Sequence, residues 1–427
     1  MTTKQRLVGN VRKMLPSGAV HMLEETYRKG RVQAVTLKYG KPARKLRVIA
    51  VTGTNGKTTT VNYINSILKY AGYKTAMFST AVIEIDGQAK INDLNVTVAT
   101  TEQMQRFFKQ AKKAKVDFVV LEVTSHSLQQ HKLTTVPIEM AVMTNLTQDH
   151  LDYHKTMDNY AAAKAILFKN SPRFIVLNED DEWFDYFNKF TAAEQKITYG
   201  KNKSADAVIK NIKSYTDGSV ADVAIDHQVK IKLSTHMPGD YNVYNATAAA
   251  TATYLLGLNT KDIVGGIKTL EKIPGRFEVV KLNKPFDVVV DYAHTPDALE
   301  KLLTTAKEIC KGRVILVFGA TGDRDKTKRP IMGEISAKYA DRIFLTDEES
   351  YNENPATIRK MVMAGIKKAH ATGKVTEIPD RKEAIERAVK IAKKGDLILV
   401  TGMGHEKFRV IKGKRIPWND VEVVINA

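Results

Sequence analysis

A chain of 427 residues, 43% hydrophobic and 26% charged, is long enough for two or three domains and has the composition of an ordinary globular protein. Its single cysteine, Cys310, excludes a disulfide scaffold or a four-cysteine zinc site and suits a reducing cytosol. Net charge is +19, from 66 basic and 47 acidic residues, but the lysines are scattered with no arginine-rich or aromatic-interleaved tract, so the charge reads as a solvated surface attractive to anionic nucleotides and acidic peptides, not to nucleic acid.

Residues 1–47 are basic and weakly patterned and read as an extension, with one short helix expected over 15–27 and a turn at Tyr39-Gly40-Lys41-Pro42. Pro16, Ser17, Gly18 and His21 interrupt the apolar run near the N-terminus, so no signal peptide is expected. No stretch approaches the length of a membrane span, and a cytoplasmic protein is expected. The strongest pattern follows. Val48-Ile49-Ala50-Val51 reads as a buried strand, Thr52-Gly53-Thr54-Asn55-Gly56-Lys57-Thr58-Thr59 as a turn of small residues ending in Lys-Thr-Thr, and Val61, Ile64, Leu68 and Ala71 then recur at helical spacing until Gly72. Backbone N–H groups at such a helix start face an anion, Lys57 reaches terminal phosphates, and the Thr58 hydroxyl suits magnesium. The loop is tighter than the strict G-x-x-x-x-G-K-[ST] pattern, because Val51 stands where that pattern has glycine.

From residue 48 onward strand-like runs (74–79, 118–121, 141–144) alternate with helical ones (102–115), which implies a mostly parallel sheet covered by helices, with ligands at the strand ends. Glu122 directly follows a strand and is placed to serve magnesium. In Thr144-Asn-Leu-Thr-Gln-Asp-His-Leu-Asp-Tyr-His154 the D-H-x-D-x-H spacing is no zincin pattern and suits a magnesium-phosphate centre better than zinc. Lys164, among alanines in a helix over 159–168, reads from its neighbours alone as a lysine snorkelling to solvent. Residues 171–235 show three shorter strands, 174–177, 196–199 and 230–233. Asn242 and Asn245 share one face of the next helix's first turn, suited equally to an adenine edge or to N-capping. After Ile273-Pro274-Gly275-Arg276 the alternation restarts, with strands 287–290, 314–318, 342–345 and 397–400 each followed by polar residues. This is a second α/β domain facing the first. Gly319-Ala320-Thr321-Gly322 lacks G-x-G-x-x-G, so NAD is not expected. The expected division is 1–47, an extension; 48–273, an ATPase-like parallel-sheet domain; and 274–427, a Rossmann-like α/β domain.

Taken together the motifs resemble one family, the Mur ligases, ATP-dependent enzymes that add amino acids to the peptidoglycan stem peptide, and within it the tripeptide-forming branch. The segments that carry the resemblance are Thr52 to Thr59, Glu122-Val-Thr-Ser-His126, Thr144 to His154, Gly275-Arg276, Asp291-Tyr-Ala-His-Thr-Pro-Asp-Ala298, Gly322-Asp-Arg-Asp-Lys326 with Lys328-Arg-Pro330, and Gly402-Met-Gly-His-Glu406, in the family's order over residues 48–427. The resemblance implies that Gly53, Thr54, Asn55, Gly56, Lys57, Thr58 and Thr59 hold the phosphates of ATP, and that Thr58, Glu122 and His150 serve Mg²⁺. It makes Lys164 a lysine carbamylated by CO₂ and turned into an anionic magnesium ligand, which requires a neutral amine and hence a depressed pKa. Asn242 and Asn245 would contact adenine, and Arg276 and Asp291 would bridge nucleotide and C-terminal domain. Thr100, Thr101, Ser125, Gln130 and Lys132 match contacts to a muramoyl-peptide acceptor, while Arg324, Gly402 and Glu406 match those to the incoming amino acid. Lys57, Lys164, His150, Asp291 and Arg324 are the residues expected to carry catalysis.

Two departures stand out. Forty-seven residues are too few for the family's N-terminal uridine-binding domain, and a chain lacking it is expected. The family's selectivity motif, Asp-Asn-Pro-Arg in diaminopimelate enzymes, aligns with Glu348-Glu349-Ser350-Tyr351, with Tyr351 at the arginine position. The implied chemistry is activation of an acceptor carboxylate as an acyl phosphate, then amide formation, in a monomer whose two domains close on ATP and bring Asp291, Arg324 and Glu406 toward the phosphate loop. A related ligase of folylpolyglutamate or cyanophycin type, and a partner-dependent ATP-binding module, are the alternatives.

Overall fold

The computed structural model describes residues 17–92 and 99–427. The run 48–51 is buried on both faces, which is why it is apolar without alternation. It forms β1 (Arg47–Thr52) at the centre of a sheet whose other strands are β2 (Thr75–Phe78), β3 (Val82–Ile85), β4 (Gln88–Ile91), β5 (Phe118–Glu122), β6 (Met140–Met143), β7 (Phe174–Asn178), β8 (Gln195–Gly200), β9 (Ala207–Tyr215), β10 (Gly218–Ile225) and β11 (Val229–Thr235). Their order is β11-β10-β9-β8-β7-β6-β1-β5-β2-β3-β4. The strands from β9 to β2 in that order run parallel, while β9-β10-β11 and β2-β3-β4 are antiparallel meanders at the two edges. Ile49 and Val51 face one core with Ile64, Ile67 and Leu68 of helix Lys57–Tyr70 and Ala246, Ala249 and Ala250 of helix Asp240–Leu255. Val48 and Ala50 face the other, with Phe107 and Phe108 of helix Thr101–Lys113 and Tyr160 and Ala161 of helix Met157–Ala165. Each fully buried Val or Ile here contributes roughly 1.5–3 kcal/mol.

A second sheet takes β12 (Glu278–Val280), β13 (Asp287–Asp291), β14 (Val314–Phe318), β15 (Arg342–Leu345), β16 (Val375–Glu377) and β17 (Leu397–Thr401) in the order β12-β13-β17-β14-β15-β16, parallel except for β12. A hairpin of β18 (Phe408–Ile411) and β19 (Lys414–Pro417) follows it.

Two expectations change. The segment 171–235 carries five strands, not three: the second half of β9 is largely exposed and β10 is only partly buried, so Lys210, Asn211, Lys213 and Asp222 conceal the pairing. The N-terminal helix runs Ser17–Lys38, well past residue 27, and expected positions 15 and 16 lie outside the described residues. It continues through Gly30 because Val32 and Thr36 are buried, with Thr36 Oγ1 3.0 Å from Thr135 Oγ1 and Glu25 on His131 Nε2 at 2.5 Å.

Candidate active site

The turn between β1 and helix Lys57–Tyr70 is built to lie close to its surroundings. Gly53 (φ 151°) and Gly56 (φ 83°) adopt conformations that L side chains avoid, and a Cβ on them would overlap Thr144 Oγ1 and the Asn245 side chain. The loop is clasped by the end of β6: Thr54 N donates to Asn145 O (2.8 Å), Asn55 N to Asn145 Oδ1 (2.9 Å), and Thr144 Oγ1 to Asn55 O (2.7 Å). Lys57 Nζ curls back onto Thr54 O (2.7 Å). Thr58 Oγ1 donates to Glu122 Oε2 (2.9 Å), which also accepts from Thr80 N (2.7 Å). Hydroxyl and carboxylate therefore share one side of the loop, as oxygen ligands of a hard cation would.

Lys164 is 1% exposed and does not snorkel; its Nζ donates to Gly53 O (2.6 Å) and lies 4.6 Å from the Tyr160 ring. Burial, and next the nearby Lys57 charge, hold its pKa well below that of an ordinary lysine. Burial likewise lowers Lys57, against the pull of Glu122 and Asp149. The His150 imidazole is pushed down to about 3, mainly by burial, and is neutral at pH 7. Asp149 sits between groups of both halves: its Oδ1 is 3.3 Å from the Lys328 ammonium Nζ, and its Oδ2 is 3.3 Å from His150 Nε2 and 4.0 Å from His294 Nε2. Burial alone would raise this carboxyl; Lys328, His150 and His294 outweigh it and hold it far below the carboxylate range.

The two sheets meet across a cleft of about 1350 Å³. It is lined by Gly53 to Thr59, Glu122, Ser125, His150, Lys164, Asn242, Asn245, Arg276, Asp291, Arg324, Tyr351, Gly402 and Glu406. Strand ends of both sheets supply most of these residues, as the alternating pattern requires, while Lys164, Asn242 and Asn245 come from helices. Arg276 Nη2 donates to Thr58 Oγ1 (3.1 Å), and Asn55 Nδ2 to Asp297 Oδ2 (2.7 Å), so loop and second sheet are in direct contact. Asp291 is turned inward, its oxygens taking Phe277 N (2.6 Å) and Ala293 N (2.7 Å), and fixes the turn that presents Arg276. Asn242 Nδ2 is bound to Pro238 O (2.7 Å), and Asn245 packs against Gly56.

Thr100, Thr101, Gln130, Lys132 and Glu348 are not among the lining residues. Thr100 caps helix Thr101–Lys113 through a reciprocal bond with Gln103, and Thr101 is buried in its first turn. Gln130 is the C-cap of helix Ser125–Gln129, and Lys132 Nζ donates to Ala99 O (2.7 Å). Glu348 is 3% exposed, against Gly402 and with Oε2 3.0 Å from Thr321 Oγ1. Sequence reasoning did not single out Asp149, Asp297, His294 or Glu349 as site residues, although each lay inside or beside a quoted motif. Thr80 had no signal at all, since its backbone N–H makes the contact to Glu122.

Comparison with known proteins accounts for this arrangement. Residues 51–253 match the Mur ligase middle domain, and 275–404 match the Mur ligase glutamate ligase domain. The UDP-N-acetylmuramoyl-L-alanyl-D-glutamate--2,6-diaminopimelate ligase 1 of Clostridium acetobutylicum is 41% identical over 419 residues, 97% of this chain and 84% of that protein. The chain belongs to the Mur ligase family. The corresponding ligase of Geobacillus kaustophilus is 39% identical over 394 residues, 90% of this chain and 78% of its own length. A solved UDP-N-acetylmuramoyl-L-alanyl-D-glutamate--2,6-diaminopimelate ligase superposes with a TM-score of 0.64 at 32% identity, covering 94% of this chain and 82% of that one. Mycobacterium tuberculosis folylpolyglutamate synthase complexed with ADP shares the fold, with a TM-score of 0.74 at 17% identity over 87% of this chain and 91% of that one. This Mur ligase thus has the expected pair of α/β units. None of its described helices is long and apolar enough to cross a membrane.

Proposed function

We propose that this Mur ligase adds an amino acid to the carboxylate of a UDP-N-acetylmuramoyl-dipeptide type of acceptor, at the expense of ATP, in peptidoglycan precursor synthesis. The observation that carries the reading is the cleft itself: a phosphate loop with Lys57 and Thr58 on one wall, and Arg276, Arg324 and Glu406 of the second sheet on the other. In this reading residues 48–273 and 274–427 are the two catalytic units of a cytoplasmic monomer, with nucleotide-derived substrates supplied in solution.

The acceptor carboxylate attacks the γ-phosphorus of ATP, ADP leaves, and the amine of the incoming amino acid attacks the acyl carbon. Loss of phosphate and of the amine proton completes the amide. Lys57 screens the phosphates, the loop N–H groups orient them, and Asn242 and Asn245 shape the pocket proposed for adenine. Arg276, positioned by Asp291, joins the loop to the second sheet, and Arg324 with Gly402 and Glu406 receives the amino acid. Thr58 and Glu122, whose side-chain oxygens lie 2.9 Å apart at the loop, suit a hard Mg²⁺, with His150 and a carbamylated Lys164 as the further proposed ligands and phosphate oxygens completing the shell. Bound there, the ion would neutralise charge on the transferring phosphoryl group. The burial of the Lys164 amine, which lowers its pKa, supports carbamylation. Thr100, Thr101, Ser125, Gln130 and Lys132 remain the proposed acceptor contacts, extending from the cleft along helices Thr101–Lys113 and Ser125–Gln129.

The test is amino-acid-dependent phosphate release with UDP-N-acetylmuramoyl-L-alanyl-D-glutamate as acceptor and identification of the product by mass. Lys57→Ala removes the cation nearest the phosphates, and a loss of at least about a hundredfold in kcat is expected. Unchanged turnover in that variant would sink the assignment.

A further inference from the structure

Ser125 and His154 form a pair at the wall of the cleft. Ser125 opens helix Ser125–Gln129 and lines the cleft, although only 1% of the residue is exposed. Its Oγ lies 2.9 Å from Nε2 of His154, the last residue of helix Leu151–His154, which is 4% exposed and not among the lining residues. The imidazole is held in place. It stacks on the Tyr160 ring (centroids 4.9 Å apart, 28° between planes) and meets the rings of Tyr153 at 4.9 Å and His126 at 5.4 Å. The backbone N–H of His154 donates to His150 O (2.9 Å) and its carbonyl accepts from Asn159 Nδ2 (3.0 Å), so the chain that carries the ring is held as well.

The contact with Ser125 is the ring's one hydrogen bond, since Nδ1 is buried without a partner among the described residues. A proton on Nδ1 would be an orphaned buried donor, and an imidazolium would add a charge to it, whereas a bare nitrogen only leaves an acceptor unused. The proton therefore sits on Nε2, which donates to Ser125 Oγ. The opposite tautomer would draw the hydroxyl proton onto the ring and turn the oxygen lone pairs toward the cleft. With Nε2 as donor the polarity reverses: the hydroxyl accepts on the ring side, and its own proton, for which no described residue offers an acceptor, is left for a group in the cleft.

Resting on the ligase reading above, we infer that His154 is a positioning residue for the acceptor, fixing the Ser125 hydroxyl as a hydrogen-bond donor to a carboxylate oxygen of that substrate. An ionised carboxylate accepts and never donates, so only one polarity of the hydroxyl binds it, and the other would set lone pair against lone pair. His154 touches no substrate and acts only through Ser125. A role in packing alone ranks variants differently. A phenyl ring in place of the imidazole keeps the stacking on Tyr160 but has no N–H, whereas a glutamine amide restores an N–H near the position of Nε2 and loses the ring.

The experiment uses the full chain and has two readouts. With isotope-labelled histidine, imidazole nitrogen NMR at neutral pH distinguishes the two neutral tautomers and the imidazolium, and among the 10 histidines the signal missing from His154→Gln identifies the residue. A proton on Nε2 alone is expected; a proton on Nδ1 overturns the inference. Phosphate release with ATP, an amino acid and the muramoyl-dipeptide acceptor gives the kinetic effect. His154→Phe and Ser125→Ala should each raise KM for the acceptor at least about tenfold while KM for ATP moves less than about threefold, and the double variant should be no worse than about twice the larger single loss. His154→Gln should recover most of the acceptor KM. An unchanged acceptor KM, losses that multiply in the double variant, or a lower acceptor KM in His154→Phe than in His154→Gln overturns the inference while leaving the ligase reading intact. If His154→Phe does not fold, Ser125→Ala and the tautomer decide. If no amino acid stimulates phosphate release in the unmodified chain, the ligase reading falls, and calorimetric titration with the muramoyl dipeptide decides. Weaker binding in Ser125→Ala and His154→Phe than in the unmodified chain keeps the inference; equal or absent binding overturns it.

Discussion

Glu406 shows how a single side chain reports on the site around it. Its carboxyl is raised to about 7, first by burial and then by Glu349, while Tyr292, Arg276 and Arg415 pull the other way. A carboxyl whose folded pKa lies above its unfolded value near about 4.3 binds extra protons in the native state, so its ionisation costs stability as pH rises through that window. Function runs the opposite way, because only the ionised form attracts an ammonium group. KM for the amino acid should therefore rise several-fold as pH falls from 8 to 6, with kcat less affected, and Glu406→Gln should flatten that profile; a pH-independent KM in the unmodified chain would contradict the role. Lys164 gives a second residue-scale prediction. Its burial lowers the pKa of the amine well below the usual lysine range, which raises the share of the neutral form that reacts with CO₂, and acidification removes that form by protonation. Isotope-labelled bicarbonate should give a carbamate signal that disappears in Lys164→Ala and fades on acidification, and depletion of CO₂ should lower turnover.

At the scale of elements, what the sequence made legible depended on how completely each element is buried. β1 and the loop after it were readable because both faces of the strand are covered and the loop's geometry demands particular residue types at Gly53, Gly56 and Lys57. β9 and β10 lie toward the edge of the sheet and carry polar and charged residues, Lys210, Asn211 and Lys213 in β9 and Asp222 in β10, so composition masked them. Helix Ser17–Lys38 extends beyond its readable part because Val32 and Thr36 meet the body of the protein, a tertiary effect that local propensity does not contain. The effect of Glu349 on Glu406 was equally hidden, since the two come from the ends of different strands. Packing of helix Thr260–Thr269 on helix Lys57–Tyr70 is of the same kind: Gly266 sits against the Ile67 backbone, where a Cβ would overlap Ile67 Cα. Gly266→Ala must push the helices apart, and a destabilisation of about 1–3 kcal/mol is expected by analogy with overpacked cores. Denaturant unfolding measures it, and a variant as stable as the parent would show that the helix contact is looser than its geometry implies.

At the scale of the molecule the question is what holds the two sheets against one cleft. The expected closure would bring Asp291, Arg324 and Glu406 toward the loop, and in the structure the halves are already joined at several points: Asn55 to Asp297, Arg276 to Thr58, Gln148 Nε2 to Thr327 Oγ1 (2.9 Å), His405 Nε2 to Thr80 O (3.0 Å) and Lys328 to Asp149. Most of these are hydrogen bonds between groups that water could also satisfy, each worth a net of about 0.5–1.5 kcal/mol. The Asp149–Lys328 pair differs, because its side chains are only 6% and 4% exposed and neither charge has water to fall back on. Removing one partner leaves the other buried and uncompensated, which typically costs about 3–5 kcal/mol, whereas replacing both with neutral groups costs much less. Lys328→Met and Asp149→Asn should therefore each lower the unfolding midpoint sharply, and the double variant should be more stable than the sum of the two losses allows. The coupling energy from that cycle, read by denaturant unfolding, isolates the pair from the other contacts. A coupling near zero would mean that the halves are held by the hydrogen bonds around the loop and that the buried pair is incidental to their union. A large one would make Asp149, beside His150 on the phosphate side, the point at which the second sheet is fastened to the chemistry of the first.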